Sequence, residues 1–227
     1  MRDAPFDFAR LHETEPAGTA IARVILAHGA GAPMTSPFLE QVAALLANRG
    51  IAVTRFEFAY MAARRTGGKR RPAPKAETLV PEYAAVVAAI GERDGAQAAP
   101  LLVGGKSMGG RVASLAAEEL YRGGLIAGVY ALGYPFHPPG MPEKLRTAHL
   151  EALSAPMLIV QGERDPFGSR EEVEVLRLSP SVSLVWAPDG DHDLGPRGGK
   201  GFTRRGNLEA AADALAAFAG RLAESRT

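Results

Sequence analysis

The stretch Gly104-Gly105-Lys106-Ser107-Met108-Gly109-Gly110 decides how the rest of the chain is read. Its centre, Gly-Lys-Ser, is the tail of a phosphate-cradling loop, G-x-x-x-x-G-K-[ST]; overlapping it, Gly105-x-Ser107-x-Gly109 is the G-x-S-x-G of a strand-to-helix turn that presents a nucleophilic serine. A phosphate loop needs a glycine five positions before the second one, and counting back from Gly105 that position is Pro100. The residues between them, Leu101, Leu102, Val103 and Gly104, have the composition of a buried strand rather than of a loop curled around phosphate. The phosphate loop therefore fails on geometry, and Lys106 loses its nucleotide role. In the other reading, the strand Leu101–Val103 runs into the turn, glycines on both sides of Ser107 relieve its crowding, and a helix over Arg111–Tyr121 follows directly.

A serine hydroxyl is a weak nucleophile until a base removes its proton, so the turn makes further demands on the sequence. The order expected for this strand–turn–helix arrangement is serine, acid, histidine, each at the end of a strand. After a strand over Met157–Gln161 comes "GERDPFG" with Asp165, and after a strand over Ser183–Ala187 comes "PDGDHDLG" with His192. The other histidines fit less well: His12 precedes the core, His28 belongs to a Gly-rich loop, and His137 and His149 come before the acid. Two backbone donors are also needed for a developing oxyanion. Met108, directly after the serine, offers one; the loop "AHGAGAP" at residues 27–33 offers the second, at Ala30 with Gly31 as the alternative.

The remainder of the chain alternates short β-rich runs with helical patterns, the signature of a mostly parallel sheet covered on both faces. Further strands are expected over Ile21–Ala27, Ala52–Phe56 and Ala127–Leu132, and helices over Pro37–Arg49, Pro81–Arg93, Glu171–Leu178 and Asn207–Leu222. Residues 1–20 read as an N-terminal arm or edge strands, residues 21–227 as one domain, and Arg64–Lys75 as a long irregular loop.

These motifs together, "HGAGA", "GGKSMGG", "QGERDPFG" and "DGDHDL", resemble the α/β-hydrolase superfamily, in particular its small, lidless dienelactone-hydrolase-like branch of predicted bacterial hydrolases. The resemblance runs from about Ile21 to Leu222. It implies a single-domain α/β-hydrolase fold with an eight-stranded sheet, and hydrolysis through an acyl-enzyme. Two departures stand out. Dienelactone hydrolase uses a cysteine nucleophile where this chain has Ser107, and the segment Gly133–Ala155 is short where many relatives insert a helical lid, so an open site is expected.

Composition narrows the partners. With 227 residues, 46% of them hydrophobic, the chain can bury a sizeable core, and a formal net charge of +1 makes nucleic acid an unlikely partner for the chain as a whole. No cysteine is present, which excludes disulfides and thiolate metal sites. The amino end lacks an apolar targeting core and no run is long enough to span a membrane, so a cytoplasmic protein without membrane contact is the expectation. Nothing in the sequence specifies an oligomeric state. The reading is thus a small-molecule acyl substrate, no metal and no cofactor, with Ser107, His192 and Asp165 as the reacting set.

Plainer readings stand beside these. Asp165 could cap a helix near Ser169, with Glu163 the nearest substitute acid, and His192 could be a surface residue among Asp189, Asp191 and Asp193. His137, in "YPFHPPG", is a candidate pocket residue or an inert one. Two basic clusters, Arg64, Arg65, Lys69, Arg70, Arg71, Lys75 and then Arg197, Lys200, Arg204, Arg205, are either solvated loops, the commoner case, or a basic rim. A rim would attract an anionic substrate or a polyanionic partner, with Arg64 and Arg65 among the substrate contacts. The same set of residues would also serve an acyltransferase, thioesterase or peptidase. The rival from another class is a catalytically silent interaction module on the same fold.

Overall fold

Runs of β-branched and aliphatic residues too short for helices build the centre of the molecule. The computed structural model describes residues 10–65, 72–95, 99–199 and 201–225. Along the chain these give β1 (Leu11–Thr14), β2 (Ala22–Ala27), α1 (Pro37–Ala47), β3 (Ile51–Phe56), α2 (Ala59–Arg65) and α3 (Ala76–Asp94). There follow β4 (Leu101–Lys106), α4 (Met108–Arg122), β5 (Gly128–Leu132), β6 (Met157–Gly162), α5 (Arg170–Val173), β7 (Val182–Ala187) and α6 (Arg204–Glu224). The strands form one sheet in the order β1-β3-β2-β4-β5-β6-β7, parallel except for β1, which pairs antiparallel with β3 at the edge. The chain winds outward from β2 to β3, then returns to β4 on the other side of β2. That reversal opens a crevice at the carboxyl ends of β2 and β4, where ligands bind in sheets of this type.

Alternation along each strand divides the core in two. Ile25, Val103, Val129 and Ile159 pack beneath α3 and α4 with Phe56, Phe58 and Tyr83, whereas Val24, Leu26, Leu102, Leu158 and Val160 pack beneath α1 and α6 with Leu39, Leu46, Leu215 and Phe218. Among the described residues, no helix is long and apolar enough to cross a membrane.

Several boundaries differ from those the sequence suggests. The sheet has seven strands among the described residues against the eight that the resemblance implies. Strand β4 does not stop at Val103: Gly104 and Gly105 stay in the ladder, opposite Tyr130 and Ala131, so the turn is confined to Ser107 and α4 starts at once with Met108. Helix α3 begins at Ala76, not Pro81, because Ala76 and Leu79 already bury on the core; Pro81 sits inside the helix. The helix expected over Glu171–Leu178 is the single turn α5, opened by a Ser169–Glu172 capping box. Leu176 and Leu178 then reach the core at a spacing of two, which an extended chain satisfies and a helix does not. Of the expected loop Arg64–Lys75, Arg64 and Arg65 close α2, Pro72–Lys75 is non-helical, and residues 66–71, with Lys69, Arg70 and Arg71, lie outside the described residues.

Helix α4 lies unusually close to β2 because glycines face the contact. A Cβ on Gly105 would stand 2.4 Å from the Ala27 carbonyl oxygen, and one on Gly109 2.7 Å from the carbonyl oxygens of both Ala27 and His28. Main chain cannot yield as a flexible side chain would. Gly105→Ala and Gly109→Ala should each cost roughly 1–3 kcal/mol or more in urea denaturation. Gly91→Ala in α3, where an added Cβ meets nothing within 4 Å, should instead stabilise by about 0.5–1 kcal/mol.

Candidate active site

Ser107 stands at the crevice in a conformation that few side chains adopt, φ 52° and ψ −115°, between the end of β4 and the start of α4. The turn is fixed on both sides: the Ser107 N–H donates to the Leu132 carbonyl on β5, and its carbonyl accepts from the Arg111 N–H in the first turn of α4. Met108, the first residue of that helix, has an N–H without an intrahelical acceptor, which leaves it available beside the serine.

Asp165 and His192 arrive from the ends of β6 and β7. His192 Nδ1 lies 2.8 Å from Asp165 Oδ2, and His192 Nε2 lies 2.8 Å from Ser107 Oγ. An ionised carboxylate can only accept, so Nδ1 carries the proton and Nε2 is free to accept from the serine hydroxyl. Asp165 is fully buried yet fully bonded. Its Oδ1 accepts from the Phe167 N–H at 2.8 Å, and its Oδ2 also accepts from Gln161 Nε2 at 2.9 Å. Glu163 faces elsewhere, accepting from the Asp189 N–H at 2.8 Å and pairing with Arg170 at 3.0 Å.

Gln161 is the residue that sequence reasoning missed. It is buried at the end of β6, where its Nε2 shares two N–H donors among Asp165 and the carbonyls of Tyr134 and Gly168, and its Oε1 accepts the Tyr134 N–H. It thereby ties the acid turn to the segment after β5. Only its place in an apolar strand, where a glutamine needs partners, could have signalled this. Phe167 covers the His192 ring at a centroid distance of 4.2 Å.

The three aspartates around His192 build its loop. Asp191 Oδ1 accepts the N–H groups of Asp193 and Gly195, and Asp189 binds the Arg197 guanidinium and its N–H, which holds the Asp189 carboxyl down to about 2. Lys106, buried next to the serine, reaches Asp193 Oδ1 at 3.3 Å; burial pushes its ammonium below the usual lysine range.

The loop after β2 stands opposite. His28 is fully buried, its Nδ1 2.6 Å from the Gly29 carbonyl, which can only accept, and its Nε2 accepting the Phe58 N–H at 3.1 Å. Both ring nitrogens are thus committed in the neutral form, and burial lowers its pKa to about 4. Tyr60 donates to the Ala30 carbonyl at 3.1 Å, and the Arg64 guanidinium stacks over the Tyr60 ring, so Arg64 backs this loop. A cavity of about 460 Å³ opens onto Ser107 and is lined by Ala30, Met108 and Phe167 among others. Gly31 is exposed and outside that lining. His137 is not brought to it either: it is buried, bonded to the Pro138 carbonyl and 3.4 Å from Glu172, and borders a different depression. The side chain of Arg65 lies outside the described residues. Of the second basic cluster, Arg197 is bound to Asp189 and Arg205 to Glu209, and Arg204 and Arg205 line a separate groove between α1 and α6.

A family profile described as alpha/beta hydrolase domain matches residues 20–220. The chain belongs to that family. Solved structures share its fold. One is an alpha-beta serine hydrolase homologue from Coxiella burnetii, 20% identical over 93% of this chain and 89% of the other, with a TM-score of 0.65. Dienelactone hydrolase from Anabaena variabilis is 23% identical over 91% and 88%, with a TM-score of 0.68. A lidless a/b serine hydrolase from Xanthomonas campestris is 17% identical over 90% and 88%, with a TM-score of 0.63. Among the described residues this α/β hydrolase has no substantial lid: Tyr134 and Phe136 are buried in the core and hold down the start of the segment after β5.

The buried imidazoles make acid stability predictable. His28 and His149, the latter 2.8 Å from Ser114 Oγ, are both lowered to about 4, chiefly by burial. The unfolded chain takes up their protons near pH 6.5, so their contribution is complete above that pH and is lost as pH falls through about 4. For His28 the loss should be on the order of 1–3 kcal/mol. Urea denaturation at a series of pH values from 7 downward should show this slope, and His28→Asn should flatten it.

Proposed function

We propose that this protein is a serine hydrolase that cleaves a carboxylic ester or related acyl compound through an acyl-enzyme on Ser107. The observation that carries the reading is the continuous chain from Asp165 through His192 to Ser107 Oγ, with both links at 2.8 Å, opening onto an accessible cavity. Ser107 Oγ attacks the acyl carbon while its proton passes to His192 Nε2, and the carbonyl oxygen becomes an oxyanion. The Met108 and Ala30 N–H groups would stabilise that charge. Collapse expels the alcohol, which takes the proton back from His192. Water entering the open site then repeats the sequence, with His192 as base, to release the acid and regenerate Ser107. Asp165 keeps the imidazole in the tautomer that can accept and stabilises the imidazolium.

Fluorophosphonate labelling and hydrolysis of short activated esters test this directly. Ser107→Ala should lose labelling and lower kcat by about a thousandfold or more while retaining its urea midpoint. Wild-type turnover by the purified variant would refute the assignment. Asp165→Asn should lower kcat by about a thousandfold to ten-thousandfold, far more than Glu163→Gln, because only the acid on His192 Nδ1 sets the tautomer. Equal losses would move the role to another carboxylate.

A further inference from the structure

The cavity beside Ser107 has a charged wall that ester cleavage itself does not use. Lys75, Arg111 and Arg146 line it, with Glu77 the carboxylate among its lining residues. Glu77 is committed to Arg111, at 2.5 Å. Arg146 differs from its neighbours. Its main chain is held at both ends, the N–H donating to the Phe136 carbonyl at 2.8 Å and the carbonyl accepting from Tyr134 Oη at 3.1 Å. Its guanidinium makes no hydrogen bond or ion pair among the described residues and is half-buried. Burial first, and then the neighbouring Arg111, push its pKa below the usual arginine range, against the weaker opposing pull of the Glu77 carboxylate. Arg111 has its charge met by Glu77, but its buried Nε donor has no hydrogen-bond partner among the described residues.

We propose that Arg146, seconded by Arg111, is a specificity-determining residue that binds a carboxylate carried by the acyl substrate, so that the natural substrate is a small anionic ester. This rests on the reading of Ser107 as the nucleophile. A planar guanidinium offers a carboxylate two parallel donors. A cavity of about 460 Å³ fits a small molecule rather than a polymer. With Arg111 already neutralised by Glu77 and Lys75 exposed at the edge, one unpaired guanidinium faces the site, which matches a single negative charge rather than a phosphate dianion. The anionic preference thus arises within the cavity wall, not from Arg197 or Arg205, which are ion-paired elsewhere.

Alkyl fluorophosphonates test this without knowledge of the natural ester. Labelling forms a bond from Ser107 Oγ to phosphorus, expels fluoride with its electron pair, and passes the serine proton to His192. Probes of equal length ending in a carboxylate, a methyl group or a phosphonate are compared over a series of spacer lengths. At the best spacer the carboxylate probe should label Ser107 about tenfold faster than the methyl probe, a difference of ~1.4 kcal/mol in the barrier. In Arg146→Ala that ratio should collapse to about twofold or less, and Arg146→Lys should recover part of it. A purely structural Arg146 would lower both rates and leave the ratio intact, which would overturn the proposal. Equal labelling by carboxylate and methyl probes in the wild type, or faster labelling by the phosphonate probe, would overturn it while leaving the nucleophile assignment standing. Failure of every probe to label Ser107 would instead overturn the hydrolase reading and this inference with it.

Discussion

The close approach of β4 and α4 to β2 is the contact on which the rest of the site depends. Gly105 and Gly109 meet the carbonyl groups of Ala27 and His28 at distances that exclude any side chain. That contact sets the serine turn directly against the loop after β2, so the candidate nucleophile and the candidate oxyanion donors share one rigid junction. The strained backbone of Ser107 persists because β5 and the first turn of α4 hold it from both sides. Its hydroxyl therefore stands clear of the sheet, without a flexible loop to bring it there.

The other half of the site is built from polar groups in an apolar setting, where every unmet hydrogen bond would be costly. Gln161 places the two N–H bonds of its amide among three carbonyl or carboxylate acceptors and so makes the acid turn part of the β5–β6 framework. The histidine loop has a similar frame of its own, with Asp191 bonding inside it, Asp189 fastening it to Arg197 and Arg164, and Asp193 meeting Lys106. Lys106 thus connects the serine turn to the histidine loop from behind. The aspartates that make His192 look like an ordinary surface residue in sequence are what hold its ring in register.

Charge in this protein is sorted by partnership. Of the basic residues that crowd together in sequence after His192, Lys200 lies outside the described residues, Arg197 and Arg205 are neutralised by carboxylates, and Arg204, with Arg205, stands beside a groove that Ser107 does not share. The cations that line the cavity come from three separate places along the chain, Lys75 at the end of the first basic cluster and Arg111 and Arg146, 35 positions apart, outside either cluster. Screening and pairing are decided by neighbours in space and not by proximity along the chain.

The alternation of strand and helix, the strand–turn–helix at Ser107, and the strand ends that carry Asp165 and His192 are legible along the chain. These are local signals: a period of two or of 3.6, glycines around a strained turn, and acid and base following apolar runs in a fixed order. Tertiary structure decided where those signals stop. Gly104 and Gly105 stay in β4 because Tyr130 and Ala131 lie opposite, α3 starts before Pro81 because Ala76 and Leu79 find the core, and α5 ends after one turn because Leu176 and Leu178 are wanted at alternate positions. It also decided that Gln161 serves Asp165, that His137 is tied to Glu172 away from the cavity, and that Arg146 faces the site. None of these is written in a window of sequence, because each depends on which distant backbone supplies or withholds a partner.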